Sequence, residues 1–263
     1  ENLMDADMVV ARKLPYKEMA QNKWLPETRK IKERIINLRK FFGVAHLGLI
    51  SQDNLIPRVA CRRLMLTEKG DYALIAWVQQ AKLEARKIKT KALDLASLEA
   101  LIPEIRAMTS LRPEDFQPKL SKLLADCGLA MVFLPHLGGS FLHGASFLDG
   151  KKMVIGLTVR GKDADRFWFS LFHEIAHILQ GDTGKIEGLE KSDEDEADAF
   201  ARQTLIPDQA FQDFVETRHF SRQSIIDFAQ DQGIDPSIVL GRLQRDGYVK
   251  YKQYQDLKTK YTI

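Results

Sequence analysis

The chain has 263 residues, 44% of them hydrophobic and 29% charged, with a net charge of +3. That is the make-up of a globular protein large enough for two domains. No run of about 18 apolar residues and no signal-like start occurs, which excludes a membrane-spanning helix and points to the cytoplasm. Cys61 and Cys127 are the only cysteines, too far apart for a metal-binding spacing and too few for a disulfide framework.

Charge is uneven: residues 1–130 hold 23 Lys/Arg against 16 Asp/Glu, whereas residues 131–263 hold 16 against 20. The first half reads helical. Thr28 is expected to cap a helix ending near Phe42, with Gly43 behind it and Ile31, Ile35, Leu38 and Phe42 keeping the helical period. Asp71 is expected to open a second helix through Tyr72, Ile75, Val78, Leu83 and Ile88. The basic stretch from Lys82 to Lys91 reads as the solvated end of that helix rather than a phosphate track, because no aromatic residues interleave with it. Two shorter helices follow around Ser97–Met108, where Pro103 should kink or split the element, and Pro113–Asp126, stopped by Gly128. Residues 1–112 thus read as an all-helical N-terminal domain that carries no visible chemistry.

From Leu129 the pattern changes. Apolar runs at Leu129–Leu134, His143–Leu148 and Lys152–Val159, the last two flanking Asp149-Gly150, predict a small antiparallel sheet with a hairpin. The 152–159 strand is a candidate edge for holding a substrate backbone by strand addition.

Asp163 or Asp165 can cap the next helix, which runs through Phe167, Trp168, Leu171 and Phe172 to Gly181. It is apolar almost all round and therefore reads as buried. Within it lies His173-Glu174-Ile175-Ala176-His177. Residues four apart share a helix face, so His173 and His177 can close on one metal ion with Glu174 beside them to move a proton. This HExxH spacing is known for zinc-dependent peptide hydrolysis. Burying these groups without partners would cost several kcal/mol, and a metal ion would supply the missing partner.

A zinc hydrolase takes a third protein ligand from another element. Residues 192–201 read as a helix capped by Ser192, answered by Asp195 and closed by Pro207. Glu194 and Asp198 share a face there: Glu194 is the expected ligand, and Asp198 is expected to bond the free nitrogen of a ligating histidine. Glu196 points elsewhere and ranks behind Glu194. His143 and Arg202 are candidate donors to a developing oxyanion, while His46, His136 and His219 read as ordinary histidines. The tail should hold three helices, about 208–216, 221–232 and 236–246, the last two joined by Gly233-Ile234-Asp235-Pro236 in a helix-turn-helix-like unit. Only Ser237, Arg242 and Arg245 would serve base reading, so packing or partner recognition is favoured for this unit.

The stretches Asp165–His177, Glu194–Ala201 and Leu205-Ile206-Pro207, with the later Phe228-Ala229, Gly233-Ile234-Asp235-Pro236 and Gly241-Arg242-Leu243-Gln244, resemble the ImmA/IrrE family of zinc metallopeptidases. The resemblance spans about residues 120–263. It implies that His173, His177 and Glu194 hold Zn²⁺ and that Glu174 is the general base. Better-known members are associated with cleaving helix-turn-helix repressors, so a regulatory protein is the implied substrate. Many relatives carry an N-terminal helix-turn-helix domain. No such module is read before Glu27, and DNA would be reached only through one ahead of residue 1.

The expectation is an α+β, mainly helical chain: a helical domain over 1–112, and a zincin-like metallopeptidase domain over 113–263 whose last part, from about 208, is the helix-turn-helix-like unit. The alternatives are a metal-dependent transcriptional regulator or antitoxin-like binding protein that cleaves little, and a hydrolase of non-peptide amides using the same ligands.

Overall fold

The computed structural model describes residues 2–50, 59–60, 68–138, 143–158, 163–184 and 190–261. It opens with α1 (Asn2–Lys13), α2 (Tyr16–Gln21) and α3 (Ile31–Phe42). Periodicity from Thr28 onward misses the first two. The helix α1 is anchored by its fully buried Asp7, which accepts from Arg39 Nε of α3 at 2.6 Å and from the Leu47 backbone N–H at 2.7 Å. α3 starts three residues after the expected cap, because the Thr28 hydroxyl donates to Glu33 instead. Gly43 ends it in the left-handed conformation, as expected.

A two-residue strand, β1 (Val59–Ala60), precedes α4 (Glu68–Lys87), α5 (Leu95–Ala107) and α6 (Pro113–Asp126). Asp94 caps α5 by accepting the Ser97 N–H, and the helix runs unbroken through Pro103. The proline and Glu99, whose carbonyl loses its partner, are both exposed. Water can serve that carbonyl, so no split occurs.

Strands β2 (Leu129–Leu134), β3 (Gly144–Asp149) and β4 (Lys152–Thr158) join β1 in a sheet ordered β1-β3-β4-β2. β3 and β4 form the expected hairpin, with Asp149 facing Lys152 across Gly150-Lys151. The sheet is mixed, however, and the antiparallel expectation is corrected: β2 runs parallel to β4, Leu129 facing Met153 and Leu134 facing Thr158. Both faces of these strands are covered, which is why they are apolar at consecutive positions rather than alternate ones. β4 is thereby internal, bonded on both sides, and cannot be the substrate-gripping edge expected of it. Val159 and Cys61 lie outside the described residues; Cys127 is a buried free cysteine.

The sheet separates two cores. Ala130, Val132, Leu134, Ala145, Phe147 and Val154 face the helices α1–α4. Leu129, Met131, Met153, Ile155 and Leu157 face a second core containing residues of α5, α6 and the helices beyond the sheet. Each large apolar side chain so buried contributes about 1.5–3 kcal/mol. At Gly156 a Cβ would come within 2.5 Å of the Trp77 ring of α4, so the absent side chain lets the indole lie on the sheet.

On that second side run α7 (Ala164–Gln180), α8 (Lys191–Leu205), α9 (Asp208–Glu216), α10 (Arg222–Gln232) and α11 (Pro236–Arg245). α8 starts earlier than the expected Ser192 cap: Glu190 is the N-cap, and its backbone N–H donates to Asp193 at 2.9 Å. α10 ends at left-handed Gly233, and Asp235 caps α11 by accepting the Ser237 N–H. α11 packs against α7 and buries Ile238, Val239, Leu240, Leu243 and Gln244. The C-terminal tail fixes the start of α7, with Trp168 Nε1 donating to the Tyr261 hydroxyl at 2.7 Å and Ala164 N to the Thr259 carbonyl at 2.9 Å.

Candidate metal centre

Asp163 is the N-cap residue of α7 and Gly181, left-handed at φ 77°, is its C-cap. Between them His173, Glu174 and His177 are all buried, on the helix that the sheet and α8 enclose. The two His Nε2 atoms lie 3.1 Å apart. Glu194, reaching over from α8, places one oxygen 3.5 Å from His173 Nε2 and the other 3.7 Å from His177 Nε2. Ligand atoms on a tetrahedral zinc stand about 3.3 Å apart, so the three side chains already have the spacing of a closed coordination face. Among the described residues this trio is the group of His, Cys, Asp and Glu close enough to hold an ion, its ligand atoms all within 4.8 Å of one another. His46, His136, His219 and the exposed Glu196 are not part of it.

The far side of each imidazole is held by a carboxylate. His177 Nδ1 bonds Asp182 at 2.9 Å, and His173 Nδ1 lies 2.9 Å from Asp198 Oδ1. With a hydrogen on each Nδ1, both Nε2 atoms turn lone pairs toward one point, where only a shared cation or a proton relieves their repulsion. Both Glu194 oxygens are buried there without a hydrogen-bond partner. The residues therefore fit a divalent cation, and the donor set of two imidazoles and one carboxylate suits zinc.

Asp182 was not found by spacing. Its signal is its place: an acidic residue just past a helix C-terminus opposes the helix dipole, and burying it needs a partner. Gly181 reverses the chain so that Asp182 falls under the ring of His177, one helical turn back.

Electrostatics follow the same contacts. Burial opposes a charge on His173, but Asp198 and Glu194 outweigh it and raise its pKa to about 10. Burial lowers the pKa of His177. Burial pushes Glu174 up to about 7, opposed by the neighbouring His173 and by Ser146 of β3. Glu174 lies flat against that strand: a Cβ on Gly144 would sit 2.9 Å from its Oε1. A carboxyl group poised near neutrality can take a proton and return it.

A cleft of about 570 Å³ is lined by both expected donors, His143 and Arg202, together with Phe169 and Ser170, one turn before the histidines. The Phe169 ring packs on His173 with centroids 6.3 Å apart. Arg202 stands one turn beyond Asp198 on α8.

No helix among the described residues is long and apolar enough to cross a membrane. No curated protein matches the chain. Residues 131–243 match the family model Peptidase_M78, described as an IrrE N-terminal-like domain. That span runs from β2 to α11 and contains the histidines, Glu174, Glu194 and both supporting aspartates, so the part of the chain that builds this centre is similar to the IrrE N-terminal-like family of peptidase domains.

Proposed function

We propose that the protein is a zinc-dependent metalloendopeptidase acting in the cytoplasm on a regulatory protein such as a helix-turn-helix repressor. The observation that carries this reading is the convergence of His173 Nε2, His177 Nε2 and the Glu194 carboxylate on one point, with Glu174 beside it. Zinc bound there would act as a Lewis acid on water and on the scissile carbonyl. Glu174 takes a proton from the attacking water as the C–O bond forms. It gives that proton to the amine nitrogen as the C–N bond breaks. Asp182 and Asp198 keep the imidazoles in the tautomer that leaves Nε2 for the ion. His143 is the added donor to the carbonyl oxygen, because Arg202 stands eight residues past Glu194, about 12 Å along α8.

The C-terminal pair α10–α11 serves this peptidase as packing. A DNA reader needs an exposed recognition helix, whereas α11 buries Ser237, Ile238, Val239, Leu240, Leu243 and Gln244. Contact with DNA would then require a separate helix-turn-helix domain.

The test is incubation of zinc-loaded protein with a panel of helix-turn-helix repressors from the same cell, followed by mass spectrometry of fragments. Glu174→Gln should hold a full equivalent of zinc and leave every repressor intact, while the unmodified protein cuts at least one. Equal fragment patterns from both forms would overturn the assignment. Tight binding of a repressor by both forms without cleavage would establish the binding-protein alternative.

A further inference from the structure

The domain that holds the metal centre is acidic over residues 131–263, yet the cleft beside the centre gathers Arg166, Arg202, Arg242, Arg245, Lys258 and Lys260 against only Asp163 and Asp165. Cations concentrated against the local trend call for a reason. Three of them are accounted for. Arg242 is tied to the Ile206 carbonyl at 2.7 Å and to Asp208 at 2.6 Å, Lys258 to Asp165 at 2.7 Å, and Arg166 lies 3.8 Å from Asp163.

The other three are differently placed. Arg202 is exposed and has no ion-pair partner among the described residues, and the same holds for the Lys260 ammonium. Arg245 lies over the face of Phe169, its guanidinium carbon 4.8 Å from the ring centre, with Asp246 only grazing it at 3.7 Å. A stacked guanidinium keeps its planar fork open for a carboxylate. Among the lining residues Arg242 Nε is a buried donor without a hydrogen-bond partner, of the kind that a carboxylate completes. Buried polar atoms of this kind are rare unless water or a ligand completes them.

Distance along the helices sets the register. Arg202 is eight residues past Glu194 on α8, and Arg166 is eight before Glu174 on α7; either offset is about 12 Å of helix. An extended peptide covers that in about three to four residues. The Phe169 ring bridges the interval by touching His173.

We propose that this basic cleft is a specificity subsite for a carboxylate on the substrate, about three to four residues from the scissile bond, with Arg202 and Arg245 as its carboxylate-binding groups. The inference rests on the peptidase reading for its register, and its binding chemistry can be measured without turnover.

The test uses the zinc-loaded Glu174→Gln protein and three fluorescein-labelled decapeptides on an Ala/Gly background, read by anisotropy. One carries a Glu-Glu pair with an amidated C-terminus, one the matching Gln-Gln pair with an amidated C-terminus, and one the Gln-Gln pair with a free C-terminus. At least one carboxylate-bearing peptide should bind about tenfold more tightly than the amidated Gln-Gln peptide. Which one does so identifies a side-chain or a terminal carboxylate. That ratio should fall to about one in Arg202→Gln/Arg245→Gln, with zinc content unchanged, and persist in the distant control Lys17→Gln/Lys89→Gln. Equal affinities in the parent protein, or a ratio that survives the arginine changes, would overturn the subsite. If the ratio behaves as expected while the protein with Glu174 intact cuts no peptide, the peptidase reading fails and the carboxylate site stands. If peptides are cut without regard to acidic residues and bind equally, the reverse holds.

Discussion

His177 bonds Asp182 at 2.9 Å across the left-handed turn at Gly181, so the residue that ends the helix also orients its last metal-site histidine. The contact is buried, and it fixes which ring nitrogen faces Glu194. Asp182→Ala should lower zinc affinity about 10- to 100-fold, the usual cost of removing such a support. Asp198→Ala should do the same through His173. Competition against a chromophoric chelator measures both, and unchanged affinity in Asp182→Ala would remove its role in the centre.

Gly144 bears on the base rather than the metal. A Cβ there would press on Glu174 Oε1 and on Leu157 Cδ2, each at 2.9 Å. Leu157 is locked in the core, so the carboxylate is the group that gives way. Gly144→Ala should retain zinc and lose turnover by about tenfold or more, a scale set by how steeply rates fall with misplacement of a catalytic group. Single-turnover rates beside metal analysis would separate the two effects; full activity would mean that the Glu174 position against β3 is unimportant.

Much of this centre was legible because helix geometry is local. His173, Glu174 and His177 needed only a helical repeat, and Glu194 and Asp198 needed only a second helix with the right face. Asp182 was not legible, since its role depends on the reversal at Gly181 rather than on any repeat. The sheet shows the same division. The Asp149-Gly150 hairpin follows from turn chemistry, but strand order is a long-range choice, and it put β2 beside β4 and buried the strand expected at the edge. The apolar runs of β2 and β4 were the available sign of two covered faces. The short helices α1 and α2 were missed because their stability comes from tertiary anchors such as Asp7 with Arg39.

If the proposed ligands hold zinc, metal removal should destabilise the fold, because they come from separate helices and would meet on an ion only when α7 and α8 are docked. Zinc in 100-fold excess over its dissociation constant adds about 2.7 kcal/mol. Chelation should therefore lower the melting temperature by several degrees, and zinc should restore it. His177→Ala, which removes a ligand, should show no zinc-dependent shift. An identical shift in that variant would place the binding elsewhere.

The Arg86–Asp149 pair, far from the metal centre, gives a pH test of how α4 is tied to the hairpin. Arg86 Nε and Nη2 reach the two Asp149 oxygens at 2.7 and 3.0 Å. Hydrogen bonding from Arg86 lowers the Asp149 pKa below its ordinary value. A carboxylate depressed in the folded state adds stability that is complete above its unfolded pKa of about 3.9 and is lost as pH falls through the lower folded value. Arg86 is 59% exposed, so solvent screening limits the pair to about 0.2–1 kcal/mol. Asp149→Asn keeps a residue suited to the turn before Gly150 and removes only the charge. Its urea midpoint should fall below that of the parent at pH 7, and the gap should close as the pH drops below about 3.9. A gap that persists in acid would assign the loss to the turn instead of the ion pair.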